Sequence, residues 1–90
     1  MERINQKELD AAFLTRPVRN ITIIRLSEQQ WYFTFEADDP DTSEPQIYTL
    51  ETQRGQLRVW SDPRTLISFL HNRYNISTGT FYIMSGDDEQ

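Results

Sequence analysis

The side chains of this sequence best suited to chemistry are arginines interleaved with large aromatics: Arg25, Tyr32, Arg54, Arg58, Trp60 and Arg64. A guanidinium grips carboxylate or phosphate through paired N–H bonds and stacks on aromatic rings, and arginine, tyrosine and tryptophan dominate binding hot spots. Such residues point to recognition rather than bond making. The catalytic alternatives are thin. His71 is the only histidine, cysteine is absent, no serine stands in a Gly-x-Ser-x-Gly elbow, and Gly55, Gly79 and Gly86 are too scattered to cradle a phosphate. Asp38, Asp39, Asp41 and Glu44 offer hard oxygens, but DDPDTSEP has no glycine for the sharp bend of a calcium loop. It reads as a mobile, solvated connection lacking the fixed geometry that acid-base catalysis needs. A non-enzyme is expected, with no metal and no organic cofactor.

The elements that must position these residues are short. Asn5 opens a helix, with Glu8 completing a capping box and Leu9, Ala12 and Phe13 along one stripe; Pro17 lies at or just beyond its end. ITIIRL (21–26) and WYFTFEA (31–37) read as a hairpin with the four-residue loop Ser27 to Gln30. That loop sets Leu26 opposite Trp31, Ile24 opposite Phe33 and Thr22 opposite Phe35, giving an apolar face of Leu26, Ile24, Trp31, Phe33 and Phe35. A second hairpin turns at Arg54-Gly55, with Tyr48, Leu50, Leu57 and Val59 on one face and Thr49, Glu51, Arg58 and Trp60 on the other. A glycine bulge there would shift one strand by a residue. Asp62-Pro63 starts a second helix whose stripe is Leu66, Ile67, Phe69, Leu70 and Tyr74; His71 in its second half favours the helix dipole. TFYIM (80–84) is a last strand before an acidic tail.

These elements make one α+β domain: an antiparallel four- to five-stranded sheet, one main helix on one face, and a short N-terminal helix. Residues 1–19 form an N-terminal helix or arm, 20–84 the sheet-plus-helix core and 85–90 an acidic tail. The face away from the helix carries Arg25 beside Tyr32, Glu51 beside Arg58 and Thr49 beside Trp60. Two roles for Trp60 are open, one in an interface and one tucked under the first helix.

Ninety residues suffice for one core only. No apolar run approaches the roughly 18 residues of a membrane span, and MERINQKELD lacks the layout of a signal peptide, so a cytoplasmic protein away from membranes is expected. Asn20-Ile21-Thr22 and Asn75-Ile76-Ser77 are then chance matches to the glycosylation pattern. The net charge of −5 is uneven: five acids fall in EADDPDTSE and three in the tail, leaving six acids among all nine arginines and lysines. The global sign disfavours phosphate neutralisation along nucleic acid, although a local basic surface would permit it.

Leu50-x-Thr52-x-Arg54-Gly55-x-x-Arg58-x-Trp60, followed by a helix ending in Phe69-Leu70, resembles a group of short partition-associated proteins encoded on bacterial plasmids and integrating elements. The likeness runs from about Leu50 to Ile83. It implies a non-catalytic accessory or regulatory role in maintaining or transferring mobile DNA. The expected function is a binding module that engages a protein partner, or a second copy of itself as a homodimer, through the arginine and aromatic residues Arg25, Tyr32, Arg54, Arg58, Trp60 and Arg64. The alternatives are a nucleic-acid-binding regulator using the same face, with Tyr32 and Trp60 stacking on bases, and an acidic DNA mimic acting through residues 36–44.

Overall fold

The computed structural model describes residues 1–83. Its elements are β1 (Glu2–Ile4), α1 (Gln6–Thr15), β2 (Arg19–Ser27), β3 (Gln30–Asp38), β4 (Pro45–Leu50), α2 (Pro63–Tyr74) and β5 (Thr80–Ile83). The strands form one sheet in the order β1-β4-β3-β2-β5. The fold is α+β, as composition and pattern indicate, but the sheet is mixed rather than antiparallel. β1 runs parallel to β4 and β5 parallel to β2, while the inner pairs β2/β3 and β3/β4 are antiparallel. Met84 and the acidic tail lie outside the described residues.

Both helices begin as their sequences dictate. The Asn5 side chain accepts from the Glu8 backbone N–H at 2.8 Å and the Glu8 carboxylate accepts from the Asn5 N–H at 3.0 Å, closing the capping box. α2 is capped by Asp62, which accepts from the Arg64 N–H, with Pro63 in the first turn. It ends at Asn75 in the left-handed conformation, φ 58°. His71, exposed in the last turn, lies 3.2 Å from the Ile76 carbonyl oxygen.

The β2/β3 register differs from the sequence expectation by one residue, with large consequences. Ser27 pairs with Gln30 and Arg25 with Trp31, so the turn is the two-residue Glu28-Gln29 and Leu26 is a bulge. Because strand side chains alternate, the slip turns β2 over. Ile21 and Ile23 face the core with Phe33, Phe35 and Ala37, whereas Leu26 is 45% exposed. A second irregularity at Asn20, φ 56°, brings Arg19 opposite Glu36.

Both helices lie on the Phe33/Phe35 face. Phe13 of α1 meets Phe35 at 5.1 Å and stacks on Tyr74 of α2 at 4.2 Å, while Phe69 of α2 meets Phe33 at 6.4 Å. The N-terminal strand and helix share the core: Ile4, Leu9 and Ala12 are buried with Leu50, Leu66 and Leu70. A polar clasp locks the helices together, with Arg73 donating twice to Asp10 at 2.9 and 3.0 Å and Tyr74 donating to Asp10 at 2.6 Å. The sheet face turned away from the helices carries a row of threonines, Thr80, Thr22, Thr34 and Thr49, directly opposite one another and ending at Arg3 of β1.

The glycine turn shifts the second register too. Gly55, φ 82°, closes a turn in which its N–H donates to the Thr52 carbonyl and the Thr52 N–H to that of Gln56. Glu51 then pairs with Leu57 rather than Arg58. This is the shift a glycine bulge produces. Residues 57–60 form isolated bridges, not a full strand, and Trp60 leaves β4 to pair with Trp31 at the start of β3.

Candidate arginine and tryptophan site

The register places Arg25, Trp31 and Trp60 directly opposite one another in one cross-strand row. With strands about 4.8 Å apart, the backbones of Arg25 and Trp60 stand roughly 10 Å apart. The Trp31 and Trp60 backbones exchange two hydrogen bonds, at 2.8 and 2.7 Å. Each tryptophan carries an arginine. Arg25 lies over the Trp31 ring at 5.9 Å and Arg58 over the Trp60 ring at 4.5 Å, both within cation–π range. Stacking holds a guanidinium plane in place and leaves its N–H edge for an oxyanion, so less entropy is lost on binding.

Trp60 itself belongs to the core. It is 6% exposed, 5.3 Å from the Phe69 ring and 6.0 Å from Phe33. The expectation that it shares the uncovered face with Arg25 and Tyr32 is corrected by the register: its partner Trp31 points to the same side as Phe33, under α2. Arg25 follows, because the slip that turns β2 over carries it to the helix-bearing side. Tyr32 alone of the six lies on the opposite face, across from Ile24.

The other two arginines have different surroundings. Arg54 is exposed in the glycine turn, and Arg3 reaches the same turn, donating to the Gly55 carbonyl at 3.3 Å. Arg64 is engaged locally, its guanidinium 2.9 Å from the Asp62 carboxylate, which holds that carboxyl below its ordinary range and raises the guanidinium. Among the described residues Arg3, Arg16, Arg25, Arg54 and Arg58 have no carboxylate partner, whereas Arg64 and Arg73 each have one and Arg19 has two. Arg25 donates to the Ser27 carbonyl and Arg58 to that of Val59, both neutral acceptors.

The acidic segment lies at the other end of β3. It is a hydrogen-bonded turn rather than a loose connection: the Asp39 carboxylate accepts from the Asp41 and Thr42 N–H groups, and the Asp39 N–H donates to the Glu44 carbonyl. Arg19 bonds Asp38 at 2.9 Å and Glu36 at 3.3 Å, and the Asp38 contact raises its pKa most. Asp39, Asp41 and Glu44 have no cation partner among the described residues. Nor, among those residues, do three histidine or acidic side chains converge as a metal site.

The residue types place Trp31 on the apolar face and give no sign of its contact with Arg25. Its proximity to Arg25 follows from the hairpin register, which the residue types leave ambiguous by one. No helix among the described residues is long and apolar enough to cross a membrane. Comparison with family models, curated proteins and solved structures finds no match.

Proposed function

We propose that this chain is a non-catalytic binding module that engages a carboxylate-bearing protein surface through Arg25 and Arg58. One observation carries the reading: two arginines that have no acidic partner among the described residues are stacked on directly paired tryptophans at one end of the sheet. Held planes and exposed N–H edges suit bidentate recognition of carboxylates. A single-stranded nucleic acid is the weaker reading, because a Trp60 ring packed between Phe69 and Arg58 has no face to offer a base. An accessory role in maintaining mobile DNA, the implication of the Leu50 to Trp60 resemblance, accords with a module that recruits protein.

The test is affinity capture from host extract with wild type and the Arg25→Gln/Arg58→Gln variant as parallel baits, with and without nuclease. The expected result is protein retained by wild type, lost with the variant, and indifferent to nuclease. Capture of nuclease-sensitive nucleic acid, or equal capture by both baits, overturns the reading.

A further inference from the structure

The described fold is electrically polar along β3. At the Gln30 end stand Arg25 and Arg58, with Arg54 and Arg3 at the adjoining glycine turn; both helices also begin at this end, adding partial positive charge. Glu28, Glu51 and Glu8 share the end, while Asp62 is spent on Arg64. Lys7 offsets one of these acids. At the Asp38 end, Asp39, Asp41 and Glu44 project from a closed turn without cation partners among the described residues; they outnumber Arg16, which donates to the Asp38 carbonyl oxygen there, while Arg19 is held by Glu36 and Asp38. The seven residue steps from Trp31 to Asp38 separate the two ends by roughly 23 Å. That span is too long for the turn to reach the arginine end of its own molecule.

Resting on the carboxylate-binding reading above, we propose that the occupant of the arginine end is the acidic turn of a second copy of this chain, giving head-to-tail association. The complementarity is specific in kind. The arginine end needs carboxylates on a preformed convex element, and the Asp39 to Glu44 turn presents three, its shape held by the Asp39 carboxylate and the left-handed Ser43, φ 62°. A cleft of about 600 Å³ beside Arg54 and Arg58, with Glu51 and Asn5 on its walls, gives the turn a place to enter. The two contacting surfaces are different, so the contact is heterologous. In the head-to-tail arrangement each copy keeps one free end, so the assembly grows instead of closing as a symmetric dimer.

The experiment is sedimentation velocity across protein concentration at an ionic strength of about 0.01 M, where the screening length is roughly 30 Å, and again at about 1 M. Wild type should show mass rising without a plateau at low salt and falling to monomer at high salt. Two variants remove one end each: Arg25→Gln/Arg58→Gln, and Asp39→Asn/Asp41→Asn/Glu44→Gln, where the amide oxygen introduced by the first change still accepts within the turn. Each alone should self-associate at least about tenfold more weakly. Mixed, they should form a one-to-one dimer that does not grow, since one contributes an intact turn and the other an intact arginine end. Circular dichroism checks that both fold.

Monomeric wild type at low salt, no heterodimer in the mixture, or a dimer that persists at about 1 M salt overturns the proposal. A polyglutamate peptide separates this failure from failure of the binding reading. If wild type stays monomeric but its tryptophan fluorescence responds to polyglutamate and the arginine variant's does not, the second copy is wrong and the arginine end is right. If neither responds, both ideas fall.

Discussion

Trp60→Ala discriminates most sharply between a core tryptophan and an interface one. The substitution removes a side chain that is 6% exposed, packed against Phe69 and Phe33, and covered by Arg58. Truncating a buried tryptophan costs about 3 to 5 kcal/mol. A domain of this size holds only about 5 to 13 kcal/mol in total, so the loss takes a large share. At roughly 4 to 8 °C per kcal/mol, the melting temperature should fall by about 12 °C or more. Arg58→Ala removes only the exposed partner of the stack and should cost about 1 kcal/mol or less. Urea denaturation followed by fluorescence reads both, because Trp31 remains as a reporter. A loss below about 1 kcal/mol for Trp60→Ala would refute the packing argument, as would equal losses for the two variants.

Other expectations follow from particular contacts. Gly55→Val should cost about 1 kcal/mol or more through its positive φ alone, since no atom lies within 4 Å of an added Cβ; an unchanged melting temperature would contradict the turn geometry. Ile23→Ala should cost about 2 to 5 kcal/mol and Leu26→Ala within about 0.5 kcal/mol, whereas the unbulged register demands the reverse order on thermal melts. Arg73 hydrogen bonding holds the Asp10 carboxyl well below its ordinary range, against a smaller opposing effect of burial. Its stabilisation is therefore full above the unfolded pKa near 4 and lost as pH falls below it. Burial, then the Asp10 contact, pushes the Tyr74 hydroxyl up to about 12, so that contribution is full below about 10 and lost as pH rises towards 12. Asp10→Asn, at a partly exposed site, should cost about 1 kcal/mol or less at neutral pH, and its deficit against wild type should vanish in acid titrations.

Local signals in this chain are faithful and relational ones are not. The capping box at Asn5 and Glu8, the Asp62-Pro63 start and the alternation in WYFTFEA each depend on neighbours in the chain, and each predicts the element found. β1 has three residues, too few to show a period, and becomes a strand only because β4 pairs with it. The parallel pairing of both edge strands likewise depends on where the chain returns after a helix. The two bulges decide the site. Each is a one-residue ambiguity in sequence, and together they move Arg25 and Trp60 from the face away from the helices to the helix-bearing one, leaving Tyr32 behind. Arginine and tryptophan types pointed towards recognition; the pairing of Trp31 with Trp60 supplied the arrangement.

The most direct test of that arrangement is a nitrogen-15 NMR titration of the folded protein with polyglutamate, following the arginine side-chain N–H signals. The account predicts saturable shifts at Arg25 and Arg58, with Arg64 and Arg73, already held by Asp62 and Asp10, unmoved. Uniform shifts across all arginines, or none at Arg25 and Arg58, would contradict it.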